Sequence, residues 1–459
     1  MKKTKIVSTL GPSSSDVETI VKLIEAGANV FRFNFSHGDH EEQLGRMKNV
    51  AEAERITGKI VGRLLDTKGA EIRTTKQADG KIKYATGDVF RISMDASLEG
   101  THDKIAVTYP GLFDDVKVGG QVLFDDGLLA TTVMEKDEAN KELVVKAENH
   151  GLLGSRKGVN APGVSINLPG ITEKDADDIR FGLDHEINYI AASFVRKPED
   201  VLDIRALLKE KNMEHVQIIP KIESQEGIDN LDAVLDVSDG LMIPRGDMGV
   251  EIPAENVPLI QKEMIVNMNK RGLPVITATQ MLDSMEDNPR PTRAEAADVA
   301  NAVFDGTDAT MLSGESANGE YPVEAVTMMA KLDEKAETAL PLYARHKETF
   351  YHNDAIESVA SAAARLADSV AAKAVVVATE SGYEARMVSK HRPNAPIIAL
   401  NDNDRVLHGL TLNNGVVPVK SASADEAAAK SAAKDQGLAQ AGDKIVMVSA
   451  DHEVSVVAL

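Results

Sequence analysis

The sequence predicts an α/β protein built on a TIM-type (β/α)8 barrel, with an inserted all-β domain and a C-terminal α/β domain. Three observations support this prediction. Eight short apolar runs are each followed by a polar turn and a segment of helical period, which is typical of parallel β/α units. A long β-rich stretch separates the third run from the fourth. Beyond about residue 340, further strand-like runs alternate with Ala-rich helical segments.

The barrel prediction depends on the number of apolar runs, because eight parallel strands close a TIM-type barrel. We assign residues 1–67 and 169–340 to this domain. The eight predicted strands are Lys5–Leu10, Asn29–Ser36, Gly62–Asp66, Tyr189–Val195, Ile218–Glu223, Gly240–Arg245, Pro274–Thr279 and Ala309–Ser313.

The two other domains are predicted from strand and turn patterns. Residues 68–168 form the insert, with predicted strands Asp88–Ser93, Ile105–Tyr109, Gln121–Leu123 and Glu142–Ala147. Residues 341–459 form the α/β domain, with predicted strands Ala374–Thr379, Pro396–Leu400, Gly415–Val419 and Lys444–Ser449. Helices are expected in Ala355–Val370 and, as a solvated helix, within Ser421–Gln440.

The composition excludes several classes of protein. Hydrophobic residues make up 43% of the chain, but no apolar run approaches the roughly 20 residues that span a bilayer. The N-terminal segment has no apolar secretory core, so we expect a cytoplasmic protein without membrane association. Because cysteine is absent, a bound metal needs oxygen or imidazole ligands. The net charge of −21 disfavours nucleic acid, and an anionic substrate would need a locally basic pocket.

A charged pair ends the fifth predicted strand. Lys221 and Glu223 are two residues apart, so both side chains point to one face of a strand, here toward the barrel mouth. Asp247 follows the next strand, in a glycine-containing turn before a helix. Two carboxylates from neighbouring strands suit Mg²⁺ or Mn²⁺, with positions left open for substrate oxygens. The alternative is a buried ion pair that only seals the barrel.

Polar residues also mark the ends of neighbouring strands. Arg32, Asn34 and Ser36 alternate with aromatic residues and therefore share one face of the second strand. Asp66 and Thr67 follow at the end of the third. A half-buried surface strand shows the same alternation, but its repetition at adjacent strand ends favours one polar cluster at one end of the barrel.

Two motifs near the seventh strand have different interpretations. Thr279 ends that strand and adds a hydroxyl to the predicted polar cluster. Thr292 and Glu295 have the spacing of a capping box, so we expect them to begin a helix rather than to act in catalysis.

Taken in order and spacing, these motifs resemble the pyruvate kinase family over essentially the whole chain. The resemblance implies the same three domains, with the insert as an all-β lid domain. The segments that carry it are Asn34–Gly38, Leu65–Gly69, Lys221–Glu223, Arg245–Pro253, Thr279–Leu282 and Pro289–Glu295.

The resemblance implies phosphoryl transfer from phosphoenolpyruvate to ADP, giving pyruvate and ATP in glycolysis. In this reading Glu223 and Asp247 hold Mg²⁺ or Mn²⁺. Arg32 binds the phosphoryl group, and Lys221 neutralises its charge during transfer. The Thr279 hydroxyl, as a third catalytic group, receives the substrate carboxylate.

Further roles follow from the same resemblance. The backbone N–H groups of Gly246 and Asp247 also receive the carboxylate. A K⁺ site is formed by Asn34, Ser36, Asp66 and Thr67. The nucleotide is contacted by Asn34, Phe35, Ser36, His37, Arg73 and Lys157. The family also implies a homotetramer.

Two regulatory expectations belong to the resemblance. A Glu at the position of Glu71 accompanies K⁺ dependence in the family, so we expect K⁺ to be required. Glu384 occupies a place in an effector loop where a small hydroxyl residue is usual. A carboxylate repels phosphate, so we expect fructose 1,6-bisphosphate to activate weakly or not at all.

Two other functions compete with phosphoryl transfer. A barrel lyase or mutase could use a phosphoenolpyruvate-like substrate and Mg²⁺ without a nucleotide. Arg73 and Lys157, both in the insert, argue against that class because they are expected to contact the nucleotide. A scaffold that keeps the fold without activity is disfavoured, because Arg32, Lys221 and Glu223 are all present.

Overall fold

The barrel is present as predicted in the computed structural model, which describes residues 1–340 and 354–459. Each barrel strand pairs in parallel with its sequence neighbours, except the fifth with the sixth, and the first pairs with the eighth. A bridge between Lys221 and Met242 joins the fifth strand to the sixth and brings the ring close to closure. The strands are Lys5–Thr9, Val30–Asn34, Gly62–Asp66, Tyr189–Ala192, Gln217–Pro220, Leu241–Pro244, Val275–Ala278 and Ala309–Leu312.

The fifth strand is shorter than predicted. It ends at Pro220, so Lys221 and Glu223 lie in the loop that follows and not inside the strand. A short helix begins directly after Ser224, whose hydroxyl caps it by accepting a hydrogen bond from the Gly227 N–H. The site residues therefore lie on the loops at the carboxyl ends of the strands, where barrel enzymes place their chemistry.

The helices around the barrel pack their apolar faces against the outside of the strands. The predicted capping box is confirmed, because Thr292 Oγ1 accepts from the Glu295 N–H at 3.2 Å and the Glu295 carboxylate accepts from the Thr292 N–H at 2.6 Å. The α-helices are Val17–Ala26, His40–Thr57, Glu173–Leu183, Pro198–Glu210, Gln225–Asp229, Leu231–Leu235, Arg245–Glu251, Val257–Arg271, Arg293–Asp305, Gly314–Ala317 and Pro322–Glu337, with a 3₁₀ turn at Asp283–Glu286.

The insert contains more strands than the four predicted, in one seven-stranded and one two-stranded sheet. The longest missed strand is Leu129–Asp137, in which buried and half-buried residues alternate before a charged end. A short helix, Leu112–Asp115, lies between strands. The strands are Ile72–Arg73, Lys81–Tyr84, Val89–Ser93, Lys104–Ala106, Gln121–Phe124, Leu129–Asp137, Glu142–Ala147, Gly151–Gly154 and Gly158–Asn160.

The C-terminal domain is a five-stranded sheet with helices against it. Four strands are parallel, and the last forms an antiparallel hairpin with Lys444–Val448. The predicted boundary at residues 340 and 341 borders residues 341–353, which lie outside the described residues. The strands are Val375–Ala378, Ile397–Asn401, Val416–Lys420, Lys444–Val448 and Val454–Ala458, and the helices are Ala355–Ser369, Tyr383–Lys390, Asp404–His408 and Glu426–Asp435.

The C-terminal domain closes the end of the barrel opposite the predicted site. Leu412 is fully buried among the apolar side chains inside the barrel, and Tyr189 Oη donates to His408 O at 2.9 Å. His408 Nε2 lies 2.7 Å from Glu54 Oε1 on a barrel helix. Within residues 1–340 and 354–459, no helix combines the length and the apolar character that crossing a membrane requires.

Candidate active site

An aspartate at the end of the third barrel strand joins the two principal cations of the site. Arg32 Nε donates to Asp66 Oδ2 at 2.6 Å, and Lys221 Nζ lies 3.3 Å from Asp66 Oδ1. Lys221 Nζ also lies 3.3 Å from Glu223 Oε1. Because strand register places Arg32 and Asp66 on adjacent strands, the barrel itself brings these groups together.

The charges of this cluster stabilise one another. Burial alone would raise the pKa of Asp66, but the Arg32 guanidinium and the Lys221 ammonium hold it below its ordinary value. Burial alone would lower the pKa of Lys221, yet Asp66 and Glu223 raise it above its ordinary value. Lys221 therefore stays protonated and Asp66 ionised at neutral pH.

The two predicted metal ligands are carboxylates that favour a cation beside them. Burial raises the pKa of Glu223 to about 7, and the nearby Asp247 charge adds to this effect although Lys221 opposes it. The pKa of Asp247 is also raised, chiefly because the surrounding protein limits its hydration. The described residues hold no cluster of three or more His, Asp, Glu or Cys side chains with metal-binding geometry. A hard cation here would need substrate or water oxygens as its remaining ligands.

Thr279 lies in a strained turn beside the start of the helix Arg245–Glu251. Its φ of 66° is in the left-handed region, which β-branched residues rarely adopt. The Gly246 N–H donates to Thr279 Oγ1 at 2.7 Å, and this hydroxyl donates to Ala278 O at 2.7 Å. The structure thus brings Thr279 and Gly246 together. A carboxylate bound to the Gly246 N–H would have to replace or share this hydrogen bond.

The residues implied in a K⁺ site lie at the same end of the barrel. Asn34 is paired in register with Asp66, and Asn34 Oδ1 accepts from the Ser36 N–H at 3.0 Å. Thr67 Oγ1 accepts from the Ser193 N–H at 3.1 Å. These oxygen-bearing side chains border the Arg32 and Lys221 cluster.

The residues implied in nucleotide binding divide into two groups. Ser36 and His37 are exposed at the barrel mouth, whereas the Phe35 side chain is buried in the core, where it contacts the Phe181 ring. A nucleotide contact at Phe35 would therefore have to use its backbone. Arg73 and Lys157 are about 40% exposed and border an open cavity.

This cavity separates the insert from the barrel mouth and has a volume of about 260 Å³. Arg73 and Lys157 line it from the insert side, and Glu223 and Asp247 line it from the barrel. Arg73 Nε pairs with Glu71 Oε2 at 2.5 Å, and Lys157 Nζ pairs with Asp125 Oδ1 at 2.9 Å. Cationic side chains of the insert thus face the carboxylates of the barrel across one space.

Sequence reasoning missed Ser193, which is central to the cluster. Its hydroxyl accepts from Lys221 Nζ at 2.9 Å and donates to Thr67 O at 2.7 Å. The available signal was its place directly after the fourth strand, Tyr189–Ala192. Asp125, the partner of Lys157, was missed as well, because its contact depends on the folded shape of the insert.

A barrel whose strand ends carry paired cations beside two carboxylates defines an enzyme that acts on phosphate or carboxylate anions. Comparison with known families makes the class specific. The family described as "Pyruvate kinase, barrel domain" matches residues 1–326, and "Pyruvate kinase, alpha/beta domain" matches residues 357–456. The chain belongs to the pyruvate kinase family.

Individual relatives agree with this assignment. The chain is 59% identical to a pyruvate kinase of Lactobacillus delbrueckii subsp. bulgaricus over 98% of its own length and 78% of that protein. It is 54% identical to a pyruvate kinase of Bacillus licheniformis over the same shares of both chains. The crystal structure of a pyruvate kinase from Cryptosporidium parvum superposes with a TM-score of 0.95 at 39% identity, covering 100% of this chain and 96% of that one.

Proposed function

We propose that this chain transfers the phosphoryl group of phosphoenolpyruvate to ADP and so forms pyruvate and ATP in glycolysis. Its membership of the pyruvate kinase family supports the reaction. The observation that carries the proposal is the buried cation pair of Arg32 and Lys221 across Asp66, next to Glu223. Phosphoryl transfer requires mainly positioning and charge stabilisation, which such a cluster supplies.

Glu223 and Asp247 are proposed to hold one Mg²⁺ or Mn²⁺ ion. Both carboxylates line the cavity, and burial raises the pKa of each even though the Lys221 charge opposes the shift, so a further cation beside them would favour their ionised forms. When bound, the ion would polarise the phosphoryl oxygens and offset the charge that develops on them. The oxygen donors of the pair match the preference of hard cations.

Arg32 and Lys221 are proposed to bind the phosphoryl group and to stabilise its charge during transfer. Arg32 is fixed by Asp66 and by Thr9, whose Oγ1 accepts from Arg32 Nη1 at 3.1 Å. Lys221 is fixed by Asp66, Glu223 and the Ser193 hydroxyl. Cations held in place before the reaction need little reorganisation as charge develops.

The substrate carboxylate is proposed to be received opposite these cations. Thr279 Oγ1 and the N–H groups of Gly246 and Asp247 are the proposed partners, supported by the 2.7 Å contact between Gly246 N and Thr279 Oγ1. Binding at this point would aim the phosphate end of the substrate at Arg32 and Lys221.

The monovalent cation and the nucleotide are proposed to lie on either side of the transferred group. Asn34, Ser36, Asp66 and Thr67 would bind K⁺, which suits their oxygen atoms and their place beside Arg32. Residues 34–37, Arg73 and Lys157 would contact ADP or ATP, with the insert closing as a lid that excludes water. The homotetramer and the cytoplasmic location are proposed from the family alone.

The dependence of pyruvate formation on ADP tests this function. We expect the chain to release pyruvate from phosphoenolpyruvate with Mg²⁺, K⁺ and ADP, and to release almost none when ADP is omitted. A lyase or mutase acting on the same substrate would be indifferent to ADP. Substrate consumption without ADP would therefore contradict the proposal.

A further inference from the structure

The guanidinium of Arg245 is directed at the turn that follows the seventh barrel strand. Its Nη2 donates to Thr279 O at 2.8 Å, and its Nε donates to Ala278 O at 3.3 Å. Its Nη1 pairs with Asp298 Oδ1 at 2.6 Å, on the helix Arg293–Asp305. The Arg245 side chain is 11% exposed, so these bonds are largely shielded from water.

The turn that Arg245 holds has an unfavourable backbone conformation. Thr279 has a φ of 66° and Gln280 a φ of 53°, two consecutive left-handed residues without a glycine. Such conformations persist only where the surrounding structure enforces them. The planar guanidinium reaches two successive carbonyl groups of this turn at once, which an ammonium on a flexible stem does not reproduce.

The same segment of chain holds the Thr279 hydroxyl. The Gly246 N–H, next to Arg245, donates to Thr279 Oγ1 at 2.7 Å. A Cβ atom at position 246 would lie 3.2 Å from Thr279 Oγ1, closer than a relaxed contact. Hydrogen bonds from residues 245 and 246 therefore fix the positions of both the backbone oxygen and the side-chain hydroxyl of Thr279.

We propose that Arg245 is a positioning residue for the reaction: it holds the turn at Thr279 so that the threonine hydroxyl and the Gly246 N–H face the substrate carboxylate. Asp298 fixes the guanidinium from the other side. Arg245 acts through Thr279 and does not itself touch substrate. This inference rests on the proposed function.

A double-mutant cycle between Arg245 and Thr279 tests the proposal. Arg245→Lys keeps the positive charge near Asp298 but loses the fork that binds Thr279 O and Ala278 O. We expect kcat to fall by about tenfold or more, because small misplacements of a reacting geometry are costly. In the Thr279→Ala background, the same change should lower kcat by less than about threefold, because the positioned hydroxyl is already absent.

Arg205→Lys is the matched control. Arg205 also donates to a backbone oxygen, Val237 O at 3.0 Å, and pairs with a carboxylate, Asp239 Oδ2 at 2.6 Å, but it lies away from Thr279. The kcat of Arg205→Lys should remain within about twofold of the kcat of the unmodified chain. The KM for ADP should change little in Arg245→Lys, whereas a general loss of structure would affect both substrates.

The outcomes distinguish a failure of the proposed function from a failure of the positioning role of Arg245. An unmodified chain that makes no pyruvate from phosphoenolpyruvate and ADP refutes the proposed function and this inference with it. If the unmodified chain is active, two results refute the positioning role alone. One is an unchanged kcat in Arg245→Lys, and the other is a double variant in which the kcat losses of the two single variants multiply. Should Arg245→Lys fail to fold, Asp298→Asn replaces it in the same cycle, since it loosens the guanidinium from its other side.

Discussion

The Lys221 ammonium lies 3.3 Å from Glu223 Oε1, although the two residues are separated by one position in a loop and not in a strand. The contact survives because the loop continues the direction of the fifth strand, with Lys221 still bridged to Met242 of the sixth. Both side chains therefore face the barrel mouth, the ammonium between Glu223 and Asp66.

Replacing Lys221 by Met should lower kcat by roughly 10²-fold or more, because it removes a preorganised cation from the developing charge. The fold should survive. Asp66 keeps Arg32 as its partner, and the pKa of Glu223, already near 7, lets that carboxyl become neutral. Steady-state kinetics and circular dichroism measure the two effects. Lys262→Met, an exposed lysine paired with Asp305, is the control. Near-normal turnover in Lys221→Met would contradict the role of Lys221 in stabilising the transferred group.

Potassium should be required for full activity. Glu71 lines the cavity, and its carboxylate pairs with Arg73. The side chain at position 71 therefore supplies no positive charge to the phosphoryl site. Replacing K⁺ by tetramethylammonium should reduce kcat by about tenfold or more, and Glu71→Lys should narrow that difference by supplying a fixed cation. Glu135→Lys, at an exposed strand position of the insert, controls for added charge. Full activity with tetramethylammonium alone is the contrary result.

Fructose 1,6-bisphosphate should be a weak effector or none. Thr379 Oγ1 donates to Glu384 Oε2 at 2.5 Å, so a carboxylate of the chain already occupies a hydroxyl that a phosphate would need. Titration at subsaturating phosphoenolpyruvate should leave the half-saturating concentration within about twofold. Glu384→Ser should increase the response to fructose 1,6-bisphosphate, because it frees the Thr379 hydroxyl. A several-fold fall at micromolar effector in the unmodified chain would show the prediction to be wrong.

The contact between His408 and Glu54 should make stability depend on pH. Burial alone would lower the pKa of His408, but the hydrogen bond and charge of Glu54 outweigh it and raise this pKa. A raised histidine pKa stabilises the folded state fully below the ordinary value of about 6.5, and the benefit disappears as pH rises through the folded value. The Tm deficit of His408→Gln should therefore be larger at pH 5.5 than at pH 8.5.

His150→Gln controls for the loss of an imidazole, because His150 is exposed in the insert. Its Tm should follow that of the unmodified chain at both pH values. A deficit in His408→Gln that is constant, or that widens as pH rises, would contradict the role of the charged histidine at this contact between the domains.

The barrel was predictable because its strands are short, apolar and regularly separated by helices, and the contact of Lys221 with Glu223 because their spacing places both on one face. The strand Leu129–Asp137 was missed because its charged end weakens the apolar alternation. The hold of Arg245 on Thr279 was not predictable, since it depends on a left-handed turn that a threonine adopts only under tertiary constraint. The only sequence signal for Ser193 was its position directly after the fourth strand.

The most direct test of phosphoryl transfer is ³¹P nuclear magnetic resonance of a mixture of the chain, phosphoenolpyruvate, ADP, Mg²⁺ and K⁺. We expect the phosphoenolpyruvate resonance to decline while the γ-phosphate resonance of ATP grows by an equal amount, with one pyruvate formed for each ATP. Growth of inorganic phosphate in place of ATP, or loss of phosphoenolpyruvate when ADP is left out, would contradict it.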